Sequence, residues 1–447
     1  MSDQNKILNF IRNKLPQLIL NHNDDLKGHK IVNCDVKANT QLDGFMSSLY
    51  FLNITLENEH KSETVHQLIV KIMKGDQNLR AELNATALCM NEIKIYKDVI
   101  PYFKNFLKDS NVETFDCEKW VPKVYFADCK IVEELGDSEE TILVMENLIP
   151  EGFRTGPRVD LNEDHLTLMA KCIASYHATS FAMRIKKDPM LEKLAEKLIP
   201  YSFLANDGSE PNVSKVFYKY RLERVFAYIC SEEKFHSNKE FIEKVRKLKR
   251  IAYDCPLKFM EIFLVKDEIF SIILHGDYNR NNVLFKYDSE DGYNNPTDIR
   301  MIDFQEVRYA SPAIDLSFFM YMNLPGELRE ELFDKLLEIY HKNLMTSLTD
   351  ILKCSTNDPR LEPYNFENFM AHFSKNAFYG AMVAMVFIPM MACPEEECAK
   401  MIDLFDNDYE SEELHKLNLT AGGRNVDERV SGILYHAFNK GFMDILK

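Results

Sequence analysis

Residues 272–316 read IILHGDYNRNNVLFKYDSEDGYNNPTDIRMIDFQEVRYASPAIDL, and both fold and chemistry turn on this stretch. Asn282 to Tyr287 (NVLFKY) alternates weakly, as a strand with one buried face does. Asp288 to Asp298 is dense in Asp, Asn, Gly and Pro, which is turn composition. Ile299 to Ile302 returns as a second strand. If the two pair as an antiparallel hairpin, the start of the first lies beside the end of the second. Asn282 and Asp303 then meet at one end, with His275 and Asp277 in the turn just before it. One histidine, two carboxylates and one carboxamide converge, each positioned by an apolar strand.

That set has a chemical logic. Asn282 and Asp303 are hard oxygen donors, which suit magnesium better than zinc, a metal of histidine and cysteine. Asp277, outside the metal shell, could take a proton from an attacking hydroxyl. Metal and base are the minimal equipment for phosphoryl transfer, where positioning and charge neutralisation do most of the work. Asp and Asn are common in turns, so each residue alone carries little. The joint pattern H-G-D-x4-N, a strand pair, then I-D-F is far harder to reach by chance.

Working outward, residues from about Asp35 to Leu148 are strand-rich. Leu49 to Leu56 and Gln67 to Met73 read as a hairpin joined by the polar stretch ENEHKSET. A helix is expected over Glu82 to Phe106, and a strand over Thr141 to Met145. Lys71 sits in an apolar strand and shares a face with Ile69 and Met73, which is costly unless it is paired. Glu92 is the candidate partner, because Leu88, Glu92, Tyr96 and Val99 fall on one helix face. An edge-strand lysine reaching water and a solvated glutamate remain the plain alternatives.

After Asn147-Leu148-Ile149-Pro150 helical patterns dominate: Leu161 to Met183, Ser214 to Ser231, Lys239 to Tyr253, Gly326 to Leu348, Phe366 to Val386 and Ala399 to Phe405. The expected class is therefore α+β with two lobes, a small sheet-containing one over 1–147 and a larger, mainly helical one over 148–447. His177 reads as a packed core histidine. Asp315 reads as a brace for the catalytic loop or as a helix cap. The Met- and aromatic-rich run Phe378 to Met391 reads as a buried core helix, with a pocket for an apolar alcohol as the sharper alternative.

The chain has 447 residues, 46% hydrophobic and 28% charged, which is a globular composition. Its formal net charge of −16 argues against nucleic acid or anionic lipid as the main partner. Ten dispersed cysteines are too dilute for a disulfide scaffold and suit reduced, cytoplasmic thiols. Residues 1–20 lack a continuous apolar core and show helical spacing instead, so neither a secretory leader nor a membrane span is expected. Nothing in the sequence fixes an oligomeric state.

The strings HGDYNRNNVLFKYD, IDFQEVRYASPAIDL, LVMENLIPEGFR and NEIKIYKDVIP resemble the ecdysteroid-kinase-like family, also described as CHK-kinase-like. It belongs to the small-molecule branch of the protein-kinase-like fold, beside aminoglycoside phosphotransferases and choline kinases. The resemblance implies a bilobal kinase-like fold with ATP and Mg2+ as cofactors. It implies Asp277 as catalytic base, His275 as a scaffold of its loop, and Asn282 and Asp303 as metal ligands. It also implies Lys71 and Glu92 on the phosphates, the turn with Gly44 and Ser47 over the triphosphate, and the backbone of Glu146 and Leu148 at adenine. The turn holds a single glycine, so a plain hairpin turn is an equal reading. Departures from protein kinases are the Gly276 after His275, Gln305 in place of the DFG glycine, and no APE string. They favour a small acceptor over a polypeptide. The function implied is phosphorylation of a hydroxyl on a small, lipophilic molecule, an ecdysteroid or a xenobiotic alcohol. A catalytically silent ligand-binding relative and a metal hydrolase using His275, Asp277 and Asp303 are the competing readings.

Overall fold

The computed structural model describes residues 3–39, 47–74, 80, 85–112, 115–116, 119–158, 160–199, 202–205, 207–288 and 294–446. Gly44, named above over the triphosphate, lies outside them. The β-branched runs of the first third form one antiparallel sheet in the order β1-β2-β3-β5-β4. Its strands are β1 (Lys30–Ala38), β2 (Ser47–Glu57), β3 (Glu63–Met73), β4 (Val124–Ile131) and β5 (Glu139–Glu146). β2 and β3 make the expected hairpin, with Asn58 Oδ1 accepting from the His60 and Ser62 N–H groups in the turn.

Alternation along β3 decides what each face meets. Leu68, Val70 and Ile72 enter a core with Phe10, Leu15 and Ile19 of two N-terminal helices, Asp3–Asn13 and Leu15–His22. Ile69, Lys71 and Met73 take the opposite face. There the expected helix is in pieces: Ala85–Lys94, a π turn over Ile95–Val99, then Ile100–Asp109. Pro101 has no N–H to continue a regular ladder, so the chain widens before it.

The rest is mainly helical, so the class is α+β as read. Glu163–Ile185 packs along Gly326–Leu352. The helix expected over Phe366 to Val386 is two, Phe366–Asn376 and Phe378–Ala392, and the segment Pro359–Asn376 is bent by 47° from the second. A Cβ on Gly380 would lie 2.1 Å from the Ser317 carbonyl carbon. The second helix therefore rests directly on the backbone of helix Ala313–Asn323, which sets its own direction. Helices Met190–Lys197, Glu412–Thr420 and Gly423–Asn439 were not expected. The first two are short, and Gly422-Gly423 reads as a breaker although it starts the third. No single described helix is long and apolar enough to cross a membrane.

Among the described residues, five short strands accompany these helices: β6 (Phe153–Arg154), β7 (Ile272–Ile273), β8 (Val283–Tyr287), β9 (Pro296–Met301) and β10 (Tyr309–Ala310). β6, β8 and β9 form one small sheet, and β7 pairs with β10. Val283 faces Met301, and the Ile302 N–H donates to the Asn282 carbonyl at 3.0 Å. The second hairpin strand begins at Pro296, earlier than composition suggested, because the turn residues 294–298 are short of the apolar signal that marks strands.

Candidate functional site

The site is built on the loop that leaves β7. The His275 and Gly276 N–H groups each donate to Asp315 at 2.8 Å, one to each carboxylate oxygen. His177 Nε2 meets the same carboxylate at 3.1 Å, and its Nδ1 meets the Tyr340 hydroxyl at 2.9 Å. Burial pushes the Asp315 carboxyl up, but the His177 and His275 contacts outweigh it and hold the group below the usual range. So His177 is the core histidine expected, and it also holds the brace. Gly276 has φ +91°, and a Cβ there would fall 1.8 Å from the Glu306 carbonyl oxygen. Only glycine fits between His275 and Asp277.

His275 is fully buried, and its Nε2 donates to the Ile302 carbonyl at 3.0 Å. Its ring lies 4.3 Å from that of Phe304, and burial keeps it below the usual imidazole range. It ties the loop to the second hairpin strand. Asp277 receives Asn282 Nδ2 on Oδ2 at 2.6 Å and Asn279 Nδ2 on Oδ1 at 2.8 Å. Burial first, then the Glu306 and Asp303 charges, push its carboxyl far above the ordinary value, against those two amides.

Asp303 follows β9 with φ +64°, a left-handed conformation that side chains rarely adopt. It turns the carboxylate toward the sheet, where Lys71 Nζ meets Oδ1 at 2.8 Å. The same ammonium meets Glu92 Oε2 at 2.7 Å. Burial would lower the Lys71 pKa, but Asp303 and Glu92 outweigh it and hold the lysine charged. Burial raises the Glu92 carboxyl to about 7 against the pull of Lys71. Tyr96, in the π turn, packs edge-on to Phe304 at 5.7 Å and pins helix to loop.

The other named residues lie around this centre. Ser47, buried at the start of β2, has its hydroxyl 3.5 Å from Gln305 Nε2. Glu146 ends β5 and pairs with Leu68; its N–H donates to the Lys123 carbonyl. The Leu148 carbonyl accepts from the Glu151 and Phe153 N–H groups, and no described backbone carbonyl takes the Leu148 N–H.

Asn282 and Asp303 present hard oxygens beside Asp277, and the repulsion among Asp277, Asp303 and Glu306 is of the kind a cation relieves. Among the described residues no group of three His, Cys, Asp or Glu side chains is placed to hold a metal alone.

Three neighbours escaped the sequence reading. Glu306 adds a third carboxylate and pairs with Arg308 at 3.1 Å; an acid two before an arginine, just past I-D-F, was the available sign. Asn279 shares Asp277, and its place in H-G-D-x-N was the sign. Tyr379, on helix Phe378–Ala392, feels Arg308, Glu306 and Asp277; its run, Phe378 to Met391, was read as core or as an apolar pocket, and nothing local singles this residue out within it. A family model described as the ecdysteroid kinase-like family matches residues 41–353, well over half of the chain. No curated protein matches it.

Proposed function

The chain belongs to the ecdysteroid kinase-like family, and on that premise we propose that it is an ATP-dependent phosphotransferase acting on a hydroxyl of a small, lipophilic molecule. Kinase-like families of this kind use ATP and Mg2+. The observation that carries the reading is the bridge of Lys71 between Glu92 and Asp303, at 2.7 and 2.8 Å, beside the Asp277–Asn282 contact at 2.6 Å. A buried lysine shared by two carboxylates is a phosphate grip held ready.

In this reading the unit over 1–147 supplies the ATP site and 148–447 supplies the base and the acceptor side. Lys71, oriented by Glu92, contacts phosphate. The turn with Gly44 and Ser47 covers the triphosphate. The backbone of Glu146 and Leu148 receives adenine, which the uncommitted Leu148 N–H supports. Asn282 and Asp303 would hold Mg2+, whose charge neutralises the transferring phosphate. Asp277 accepts the proton of the acceptor hydroxyl. The acceptor oxygen then bonds to the γ-phosphorus as the bond to the ADP oxygen breaks. His275 and Asp315 hold the loop and touch no reactant. Tyr379, close to the Glu306 and Asp277 charges and packed at 6.1 Å from Phe263 and 6.5 Å from Phe203, makes the side of the site facing helix Phe378–Ala392 aromatic. An acceptor on that side would be an apolar alcohol such as an ecdysteroid or a xenobiotic. The setting is the reducing cytoplasm.

The test is ADP release by the purified protein with MgATP and a panel of steroids and apolar alcohols. Acceptor-dependent release supports the proposal. Nucleotide binding without release across the panel assigns a silent ligand-binding protein instead. Zinc-dependent hydrolysis without ATP would assign a hydrolase, in which Lys71 and Glu92 have no part.

A further inference from the structure

The two cysteines closest in sequence, Cys393 and Cys398, also meet in space. Cys393 closes helix Phe378–Ala392, and Pro394 caps the next helix, Glu395–Asp408. Counted from that cap, Cys393 is the residue before it and Cys398 the fourth residue of the helix. Those are the two positions whose side chains fold over the first turn and touch as a staple. The Cys398 N–H donates to the Pro394 carbonyl at 3.0 Å, which fixes the turn between them. Both cysteines pack in one small cluster with Met401, Leu414 and Ala421, and the Cys393 thiol hydrogen-bonds Cys398. A disulfide asks for the same closeness, with Cβ atoms about 4 Å apart.

Their surroundings divide the roles. Cys393 is 1% exposed, and the contact with Cys398, then burial, keep its thiol protonated. Glu397, in the same turn, acts in the same sense on Cys393, and its carboxylate accepts from the Gly422 N–H at 2.8 Å. Cys398 is half-buried and reaches solvent. The bond from Cys393 and the Arg158 guanidinium outweigh burial there and favour the thiolate. Arg221 approaches from the inner side. Its Nη1 donates to the Val386 carbonyl at 3.0 Å, and its guanidinium lies 4.6 Å from the centre of the Phe217 ring. Its Nε is buried with no hydrogen-bond partner, and the charge of the cysteine sulfurs offsets part of what burial costs it. An accessible thiolate touching a buried thiol is the arrangement of a reversible sulfur switch.

We propose that Cys393 and Cys398 form a reversible disulfide site driven by hydrogen peroxide. The Cys398 sulfur attacks one peroxide oxygen. An S–O bond forms, the O–O bond breaks, and the leaving hydroxide takes a proton from solvent to become water. The Cys393 sulfur, giving up its proton, then attacks the sulfenic sulfur of Cys398. The S–S bond forms, the S–O bond breaks, and the second hydroxide leaves with that proton as water. The two thiols are oxidised by two electrons and the peroxide is reduced to two waters. The disulfide pins the end of helix Phe378–Ala392 to the first turn of the helix that follows. Because Arg158 and Arg221 stabilise the reduced pair, a thiol such as glutathione reopens the bond readily. The site does not depend on the phosphotransferase reading.

Residues 376–400 form one tryptic peptide that carries both cysteines. The full chain is treated with hydrogen peroxide at neutral pH, denatured in iodoacetamide, digested and analysed by mass spectrometry. In the wild type this peptide should be two hydrogens lighter with neither sulfur alkylated, and glutathione added before the iodoacetamide should restore alkylation of both. Cys398→Ser should show no such loss and an alkylated Cys393. Cys393→Ser should leave a sulfenic acid on Cys398 that dimedone captures, and it decides the matter if Cys398→Ser does not fold. A wild-type peptide that keeps both hydrogens, a bond from either residue to a different cysteine, no dimedone capture in Cys393→Ser, or a bond that glutathione leaves intact would overturn the proposal. Failure of ATP turnover alone would leave it standing.

Discussion

Lys71 is where burial and charge meet most sharply. Its ammonium balances a glutamate that is 3% exposed, so removing it leaves a buried carboxylate alone. Lys71→Met should cost about 3 kcal/mol of stability, the usual penalty for breaking a buried pair. Adding Glu92→Gln should recover part of that loss, because the stranded charge goes with it. Denaturant unfolding of the single and double variants measures this. A double variant less stable than Lys71→Met alone would show that Glu92 is not the charge that Lys71 balances. Cys398 offers a second check at this scale. A bond from Cys393 and the nearby Arg158, outweighing burial, lower its thiol to about 6. The thiolate is the reactive form, so alkylation of Cys398 should rise through pH 6 and level off near neutrality. Peptide mapping after iodoacetamide treatment across that range reads the profile, and a yield at Cys398 that is flat to pH 8 would contradict it.

At the scale of elements, the loop and its brace should stand or fall together. Asp315→Ala strands the His275 and Gly276 N–H groups and His177 in the core, so a loss of about 3 kcal/mol is expected. Thermal unfolding reads it directly, and a change under about 0.5 kcal/mol would rule out the brace. Gly380→Ala drives a methyl into the backbone of Ala313–Asn323 and should destabilise by about 2 kcal/mol or more. Elements were also where the sequence was most and least legible. The hairpin that joins Asn282 to Asp303 could be read because alternation and turn residues are local. The break at Ala377 could not, since it depends on Gly380 meeting a helix some sixty residues away. The π turn before Pro101 and the strained φ of Asp303 have the same origin, a tertiary demand with no local mark. Tyr379 escaped for that reason too, since only the assembled helices bring it near Asp277.

For the whole molecule, the bridge from β3 through Lys71 to Asp303 ties the sheet to the helical part. Ligand binding there should therefore be felt on both sides at once. Hydrogen exchange with and without MgATP should slow together in β2, β3, helix Ala85–Lys94 and residues 275–304. Protection confined to one side would contradict a shared nucleotide site. The broad α+β class was legible from the contrast between the first third and the remainder, because hydrophobic period changes with element type. The packing that creates the site was not, because period says which face is apolar and not what it meets.

The most direct measurement is mass-spectrometric detection of a phosphorylated acceptor after incubation with MgATP and the alcohol panel, for the wild-type chain and for Asp277→Asn. The account predicts a phosphorylated alcohol with the wild type and about a thousandfold less with Asp277→Asn, while both still bind ATP. Equal product from the two, or ATP consumption with no phosphorylated alcohol, would contradict it.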